Sequence, residues 1–121
     1  MREEIRDKLV PIAGDLIIDQ LGMSEQDRAM VTSECQIVIN VAASVNFDDP
    51  LLDALEINYF GCLRMLQLAK ECKNIIGFCH VSTAYVNSYQ EGNAFINERV
   101  YDSEDGRDAQ EIVRNIISLG P

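Results

Sequence analysis

Three features of this sequence predict an α/β architecture, a doubly wound parallel sheet with helices on its faces. Short apolar runs alternate with helical periodicities in the order strand, helix, strand, long helix, strand, helix. The runs at Gln36–Ala43 and Ile75–Ser82 are continuous rather than alternating, as strands buried on both faces require. The chain between them is long enough for a helical crossover, which in a parallel sheet is right-handed.

Taken in order, the first eight residues, with RDKL at their end, read as the close of a helix. Val10–Ala13 then reads as a short strand running into a turn at Gly14-Asp15. Ser24 has the chemistry of an N-cap, with acidic residues in the turn that follows, and opens the helix SEQDRAMVTSE. Asp48-Asp49-Pro50 is the clearest helix start, Asp as cap and Pro at the first helical position. From it Leu51, Leu55, Tyr59, Cys62, Leu63, Leu66 and Ala69 recur at three- and four-residue spacing, predicting an amphipathic helix to about Cys72 and a stop at Asn74. After the last strand comes a loop rich in Asn, Ser and Gly, and then a helix over Asp108–Leu119.

Composition narrows the function. A chain of 121 residues forms one domain at most, and 47% hydrophobic with 25% charged residues is ordinary globular material. The net charge of −10 opposes nucleic acid, whose phosphates it would repel. No apolar run approaches the roughly 20 residues that span a bilayer, and the charged N-terminus is not a secretory signal. Glu91, Glu98, Asp102, Glu104, Asp105, Asp108 and Glu111 crowd the last third and read as a solvated face. Cys35, Cys62, Cys72 and Cys79 form no C-x-x-C pair and there is one histidine, so no metal site is expected. They read as reduced, buried thiols in a cytosol-facing compartment.

Chemistry in such sheets gathers beyond the carboxyl ends of the strands. Three places there carry polar or small residues, and a fourth lies on the long helix. At Gly14-Asp15 the carboxylate can accept a cofactor amino group, though such a turn also occurs for its geometry alone. At Asn40-Val41-Ala42-Ala43 small side chains let a ligand approach the backbone and Asn40 can brace loops; the alanines can equally pack on a helix. Asn58, in EINYFG, needs hydrogen-bond partners among apolar neighbours and reads first as a structural residue. Gly61 costs helix propensity and implies a close neighbour. Ser82-Thr83, with Tyr85 beyond, offers hydroxyls that can hold a carbonyl oxygen while another acid delivers a proton, or can merely form a turn. His80 reads as a strand residue without a paired acid or nucleophile.

The segments Pro11-Ile12-Ala13-Gly14-Asp15-Leu16, Ala42-Ala43-Ser44-Val45-Asn46-Phe47-Asp48, Asn58-Tyr59-Phe60-Gly61 and His80 through Asn87 occur in one order. Together with Ile96-Asn97-Glu98-Arg99-Val100-Tyr101 they resemble the fatty acyl-CoA reductases, the male-sterility branch of the extended short-chain dehydrogenase/reductases. The likeness spans about residues 6 to 102. It implies a Rossmann-like fold and reduction of a long-chain acyl-CoA with NADPH, through an aldehyde, to a fatty alcohol; NADH is not excluded. It further implies that Asp15 touches the adenine, that Asn40, Ala42, Ala43 and Ser82 line the cofactor, and that Thr83 orients the substrate carbonyl. Asn58 would belong to the helix that organises the active-site water and lysine. Membership would place the parent protein at a peroxisomal or endoplasmic reticulum membrane.

Two parts of that family's pattern are missing. None of the seven glycines builds G-x-x-G-x-x-G, the turn that seats a pyrophosphate. Tyr59, Tyr85, Tyr89 and Tyr101 are followed four residues on by Leu63, Tyr89, Asn93 and Asp105, so Y-x-x-x-K is missing too. The expectation is therefore a partial domain, lacking the Gly-rich βαβ unit and the C-terminal part. It should be inactive alone and marginally stable, with an open apolar edge and two uncovered sheet faces. A thioester or carboxylic acid reductase domain and a non-catalytic reductase-derived binding module are the alternatives. A sugar-nucleotide epimerase or dehydratase fits the AASVNFD loop less well.

Overall fold

Strands β1 (Ile37–Asn40) and β2 (Gly77–His80) pair in parallel, Ile37 opposite Gly77 and Asn40 opposite His80. The computed structural model describes residues 3–102 and 106–120, in two units that divide between Val81 and Ser82. Parallel pairing obliges the intervening chain to cross back over the sheet, and a helical run does so. It comprises α3 (Leu51–Leu55), a π-turn (Glu56–Phe60) and α4 (Gly61–Glu71). At the π-turn the Gly61 N–H donates to the Glu56 carbonyl, five residues back instead of four.

Pro50, not an aspartate, caps this run: its carbonyl accepts the first helical bond, from Ala54 N at 3.0 Å. Proline pushes the residue before it toward extended backbone, which takes Asp49 out of helical register. Its carboxylate accepts instead from the Ser44 hydroxyl and from Asn46 Nδ2, the latter at 2.6 Å. The run ends at Glu71 with Cys72 as C-cap.

Ahead of β1, α1 (Glu3–Arg6) closes before the RDKL residues have all joined it, and α2 (Glu25–Glu34) begins where Ser24 predicts. Ser24 Oγ accepts from Asp27 N at 3.1 Å and donates to the Asp27 carboxylate at 2.7 Å. Val10–Ala13 is not a strand. The sheet described is β1 beside β2 alone, and without a ladder to join, these residues stay irregular.

The core lies where α4 meets β1 and α2. Leu21, Val38, Leu68, Ala69 and Cys72 are its buried apolar members. The apolar stripe sits differently from its sequence spacing, since Leu51 and Leu63 are exposed while Gly61 and Leu68 are buried. The strands are not covered on both faces either: along β1, Val38 and Asn40 are buried whereas Ile37 and Ile39 are each 61% exposed. One face is therefore packed by the crossover helix, where two uncovered faces are expected from the sequence. The thiols are all free, but only Cys72 is buried; Cys35 and Cys62 are half-buried and Cys79 is exposed. Burial, then the neighbouring Cys35, pushes the Cys72 thiol up from its ordinary pKa.

Polar links tie α2 to α4. Arg28 meets Glu71 at 2.6 Å, Lys73 N donates to the Thr32 carbonyl at 2.8 Å, and Asn74 Nδ2 donates to the Ser33 carbonyl at 3.0 Å. The second unit holds a 3-10 turn at Ala84–Asn87 and α5 (Ala109–Leu119). Asp108 caps α5, its Oδ1 accepting from Gln110 N and Glu111 N at 2.9 and 3.1 Å. The acidic residues Glu91, Glu98, Asp102, Asp108 and Glu111 are exposed, and Glu104 and Asp105 lie outside the described residues.

Two outcomes follow from this packing. A Cβ on Gly61 would come within 3.0 Å of the Leu16 Cβ, so Gly61→Val should cost roughly 1–3 kcal/mol, read as a lower urea midpoint. An unchanged midpoint would mean that the two backbones are not in fact held this close. The Gln67 amide and then the Arg28 guanidinium hold the Glu71 carboxyl below its usual range. A depressed folded pKa contributes stability that is present above the unfolded value of about 4.3 and is lost as pH falls through the folded one. Glu71→Gln should therefore flatten stability against pH below about 4.3, as measured by denaturation at a series of acid pH values.

Candidate functional site at the strand ends

The backbone around Asp15 is set by a left-handed turn a few residues later. Gln20, Leu21 and Gly22 take φ of 52°, 62° and 58° in succession, a conformation that costs a non-glycine residue roughly 1–2 kcal/mol. Burial of Leu21 helps to hold it there, as do the Asp15 N–H on the Leu21 carbonyl (2.8 Å) and Arg28 Nη1 on the Gln20 carbonyl (3.2 Å). The Leu21 carbonyl would lie 3.0 Å from a Cβ at Gly14, so the turn also favours glycine there. Asp15 is exposed; its Oδ1 accepts from Ile17 N at 3.0 Å, and its Oδ2 has no partner among the described residues.

The helical crossover fixes this loop and the loop after β1 together. Leu16 packs on Gly61, and Arg64 Nη1 donates to the Leu16 carbonyl at 2.9 Å while its Nη2 meets Glu56 at 2.5 Å. One turn earlier, Asn58 grips Ser44 at both ends of its peptide group. Its Oδ1 accepts from Ser44 N at 2.8 Å and its Nδ2 donates to the Ser44 carbonyl at 3.3 Å. Asn58 is exposed, so these bonds position a loop and do not rescue a buried amide. Just ahead of Ser44, Ala42 and Ala43 form an exposed ledge beyond β1 with nothing larger than a methyl on it.

Asn40 is 2% exposed and faces β2. Its Nδ2 lies 3.2 Å from His80 Nδ1, and its buried Oδ1 has no hydrogen-bond partner among the described residues. His80 is not the unpaired strand residue that the sequence suggests, because Cys62 Sγ, on α4, sits 3.5 Å from the same nitrogen. In the second unit Ser82 and Thr83 are exposed. Thr83 caps the turn that follows, Oγ1 accepting from Tyr85 N at 3.2 Å, which leaves its hydroxyl proton to donate. Further along, Arg99 lies 4.5 Å above the Tyr101 ring, and its hydrogen bond is the main cause that lowers the Tyr101 pKa.

Asp15, Asn40, Ala42, Ala43 and Asn58 thus share one unit, with Asn58 bracing the ledge and α4 bracing the aspartate loop. Sequence reasoning missed Ser44, Arg64 and the Cys62–His80 contact. Arg64 left one trace, a charged residue amid the apolar periodicity of a helix; the other two join residues 14 and 18 positions apart and leave none.

A parallel βαβ unit with a small-residue ledge beyond the carboxyl end of its first strand, and a glycine-aspartate loop held to its crossover helix, matches the ligand-binding side of Rossmann-like α/β proteins. The chain belongs to the NAD-binding family described as Male sterility protein, whose family model matches residues 1–117. Among curated proteins it is similar to fatty acyl-CoA reductase 1 and fatty acyl-CoA reductase 8 of Arabidopsis thaliana. Each is 44% identical over 89 residues, 73% of this chain and 18% of the relative. It is also similar to fatty acyl-CoA reductase 1 of Homo sapiens, at 34% over 82 residues, 68% of this chain and 16% of the relative. The chain therefore aligns with less than a fifth of the length of these relatives.

The residues present fit a nicotinamide dinucleotide: a carboxylate oxygen with no partner among the described residues stands at Asp15, and an exposed ledge without bulky side chains at Ala42-Ala43. Among the described residues no three His, Cys, Asp or Glu side chains are grouped to hold a metal ion, and no helix is long and apolar enough to cross a membrane.

If Asn58 holds the ledge, Asn58→Ala should cost roughly 1–2 kcal/mol and speed amide hydrogen exchange at Ser44. Unaltered exchange at Ser44 would remove the bracing role.

Proposed function

We propose that these residues form the cofactor-binding middle of an enzyme that reduces a fatty acyl-CoA to a fatty alcohol by way of an aldehyde. The observation that carries this reading is the pairing of the Asp15 loop with the Ala42-Ala43 ledge through one helical run, in a chain whose relatives are named fatty acyl-CoA reductases. Bound there, reduced nicotinamide dinucleotide, in the first instance NADPH, would supply hydride. Asp15 Oδ2 would accept from the adenine amino group. Ala42 and Ala43 would let the cofactor lie against the backbone, with Asn40 beside it, and Asn58 would hold the ledge in register through Ser44.

Thr83 would donate its hydroxyl proton in a hydrogen bond to the thioester carbonyl oxygen and stabilise the negative charge that gathers there during reduction. Its Oγ1 already accepts from Tyr85 N, and the hydroxyl proton is left to donate. The 121 residues contain neither G-x-x-G-x-x-G nor Y-x-x-x-K, so alone they should not catalyse the reduction.

The test is made in the full-length protein that carries this segment, with a long-chain acyl-CoA and NADPH or NADH, following oxidation of the dinucleotide and formation of alcohol. Thr83→Val should lower kcat roughly a hundredfold, as expected on removing one donor to a developing oxyanion. Turnover at the unmutated rate would show that Thr83 does not hold the carbonyl, and absence of any acyl-CoA reduction by the parent would remove the reading as a whole.

A further inference from the structure

Three elements converge on one nitrogen. His80, at the end of β2, presents Nδ1 to Asn40 Nδ2 of β1 at 3.2 Å and to Cys62 Sγ of α4 at 3.5 Å. When neutral with its proton on Nε2, an imidazole offers a single lone pair at Nδ1. Two donors, the Asn40 amide and the Cys62 thiol, thus face one acceptor. Cys62 is half-buried and His80 exposed, so the pair is reachable from solvent by a small molecule. Two of the remaining cysteines differ: Cys72 is buried with its sulfur on the Val31 and Leu68 carbonyls, and Cys79 is exposed with its side chain on the strand face opposite that of His80.

We propose that Cys62 is a nucleophilic modification site, with His80 Nδ1 as its base, for small soft carbon electrophiles of the α,β-unsaturated carbonyl class. The Cys62 proton passes to His80 Nδ1, and the sulfur electron pair forms a C–S bond to the β-carbon of the electrophile. The carbon–carbon π pair moves to the α-carbon as an enolate, which takes the proton back from Nδ1–H. Thiol and alkene become a thioether with no leaving group and no change of redox partner. A thiol beside a base attacks as the thiolate, the form that reacts.

Asn40 is a positioning residue in this scheme. Its Nδ2 faces the unprotonated ring, and half a turn of the carboxamide presents its unpartnered Oδ1 to the protonated one. The inference uses neither Asp15 nor Thr83, and Asn40 is the one residue it shares with the proposed cofactor site.

The test is to treat the full chain at pH 7 with a limiting amount of N-ethylmaleimide and follow each cysteine by peptide mass spectrometry. Cys62 should react at least about tenfold faster than the more exposed Cys79, because base assistance outweighs exposure for a thiol. In His80→Gln, Cys62 should slow by about tenfold while Cys79 and Cys35 keep their rates. If Cys79 reacts first in the wild type, or if Cys62 in a folded His80→Gln variant keeps its wild-type rate, the proposal is overturned. The wild-type order decides the matter should the variant fail to fold.

Discussion

Everything at the strand ends hangs on the approach of Leu16 to Gly61. A helix presents side chains three and four positions apart to the same neighbour, and here Asn58, Gly61 and Arg64 follow one another at three-residue steps. Gly61 removes the side chain that would hold the Leu16 segment away, and Arg64 then fastens the Leu16 carbonyl from one turn further on. Asn58 performs the same service for Ser44 on the other side. One helix therefore sets the distance between two loops that come from separate parts of the sequence. Neither loop has a regular ladder of its own to hold it.

The guanidinium groups illustrate how such positioning is made firm. Arg64 and Arg28 each bind a backbone carbonyl of the Leu16–Leu21 region and a glutamate from the helical run, Glu56 and Glu71 respectively. An arginine fork can make both contacts at once, and the carboxylate fixes the direction of the fork. Ion pairs at the surface add little to stability, and both of these are half-buried at its edge, so their role is directional more than energetic. They aim at a segment whose left-handed turn would otherwise relax.

Local signals in the sequence carried much of the fold. Ser24 and Asp108 cap the helices they announce, and the two apolar runs become β1 and β2, because caps and buried strands are written in adjacent residues. Val10–Ala13 failed for the opposite reason, as a strand exists only beside another strand. Asp49 has the chemistry of a cap, yet Ser44 and Asn46 compete for it from the preceding loop. For the site, the sequence identified Asp15, Asn58 and Gly61 as unusual without naming what they touch. Ser44, Leu16 and the Cys62–His80 contact emerge only once the crossover brings distant residues together.

The π-turn at Glu56–Phe60 gives this arrangement a phase. One more residue than an α-helical turn holds is accommodated there, so everything after it is rotated by about 100° relative to an uninterrupted α-helix. Asn58 lies within the turn, while Gly61, Cys62 and Arg64 follow it. Loss of a single residue there would leave a helix of good geometry in which Asn58 still reached toward Ser44 but Gly61 no longer faced Leu16. A chain of this kind can thus change its helix surface by substitution far more easily than it can change its length by one.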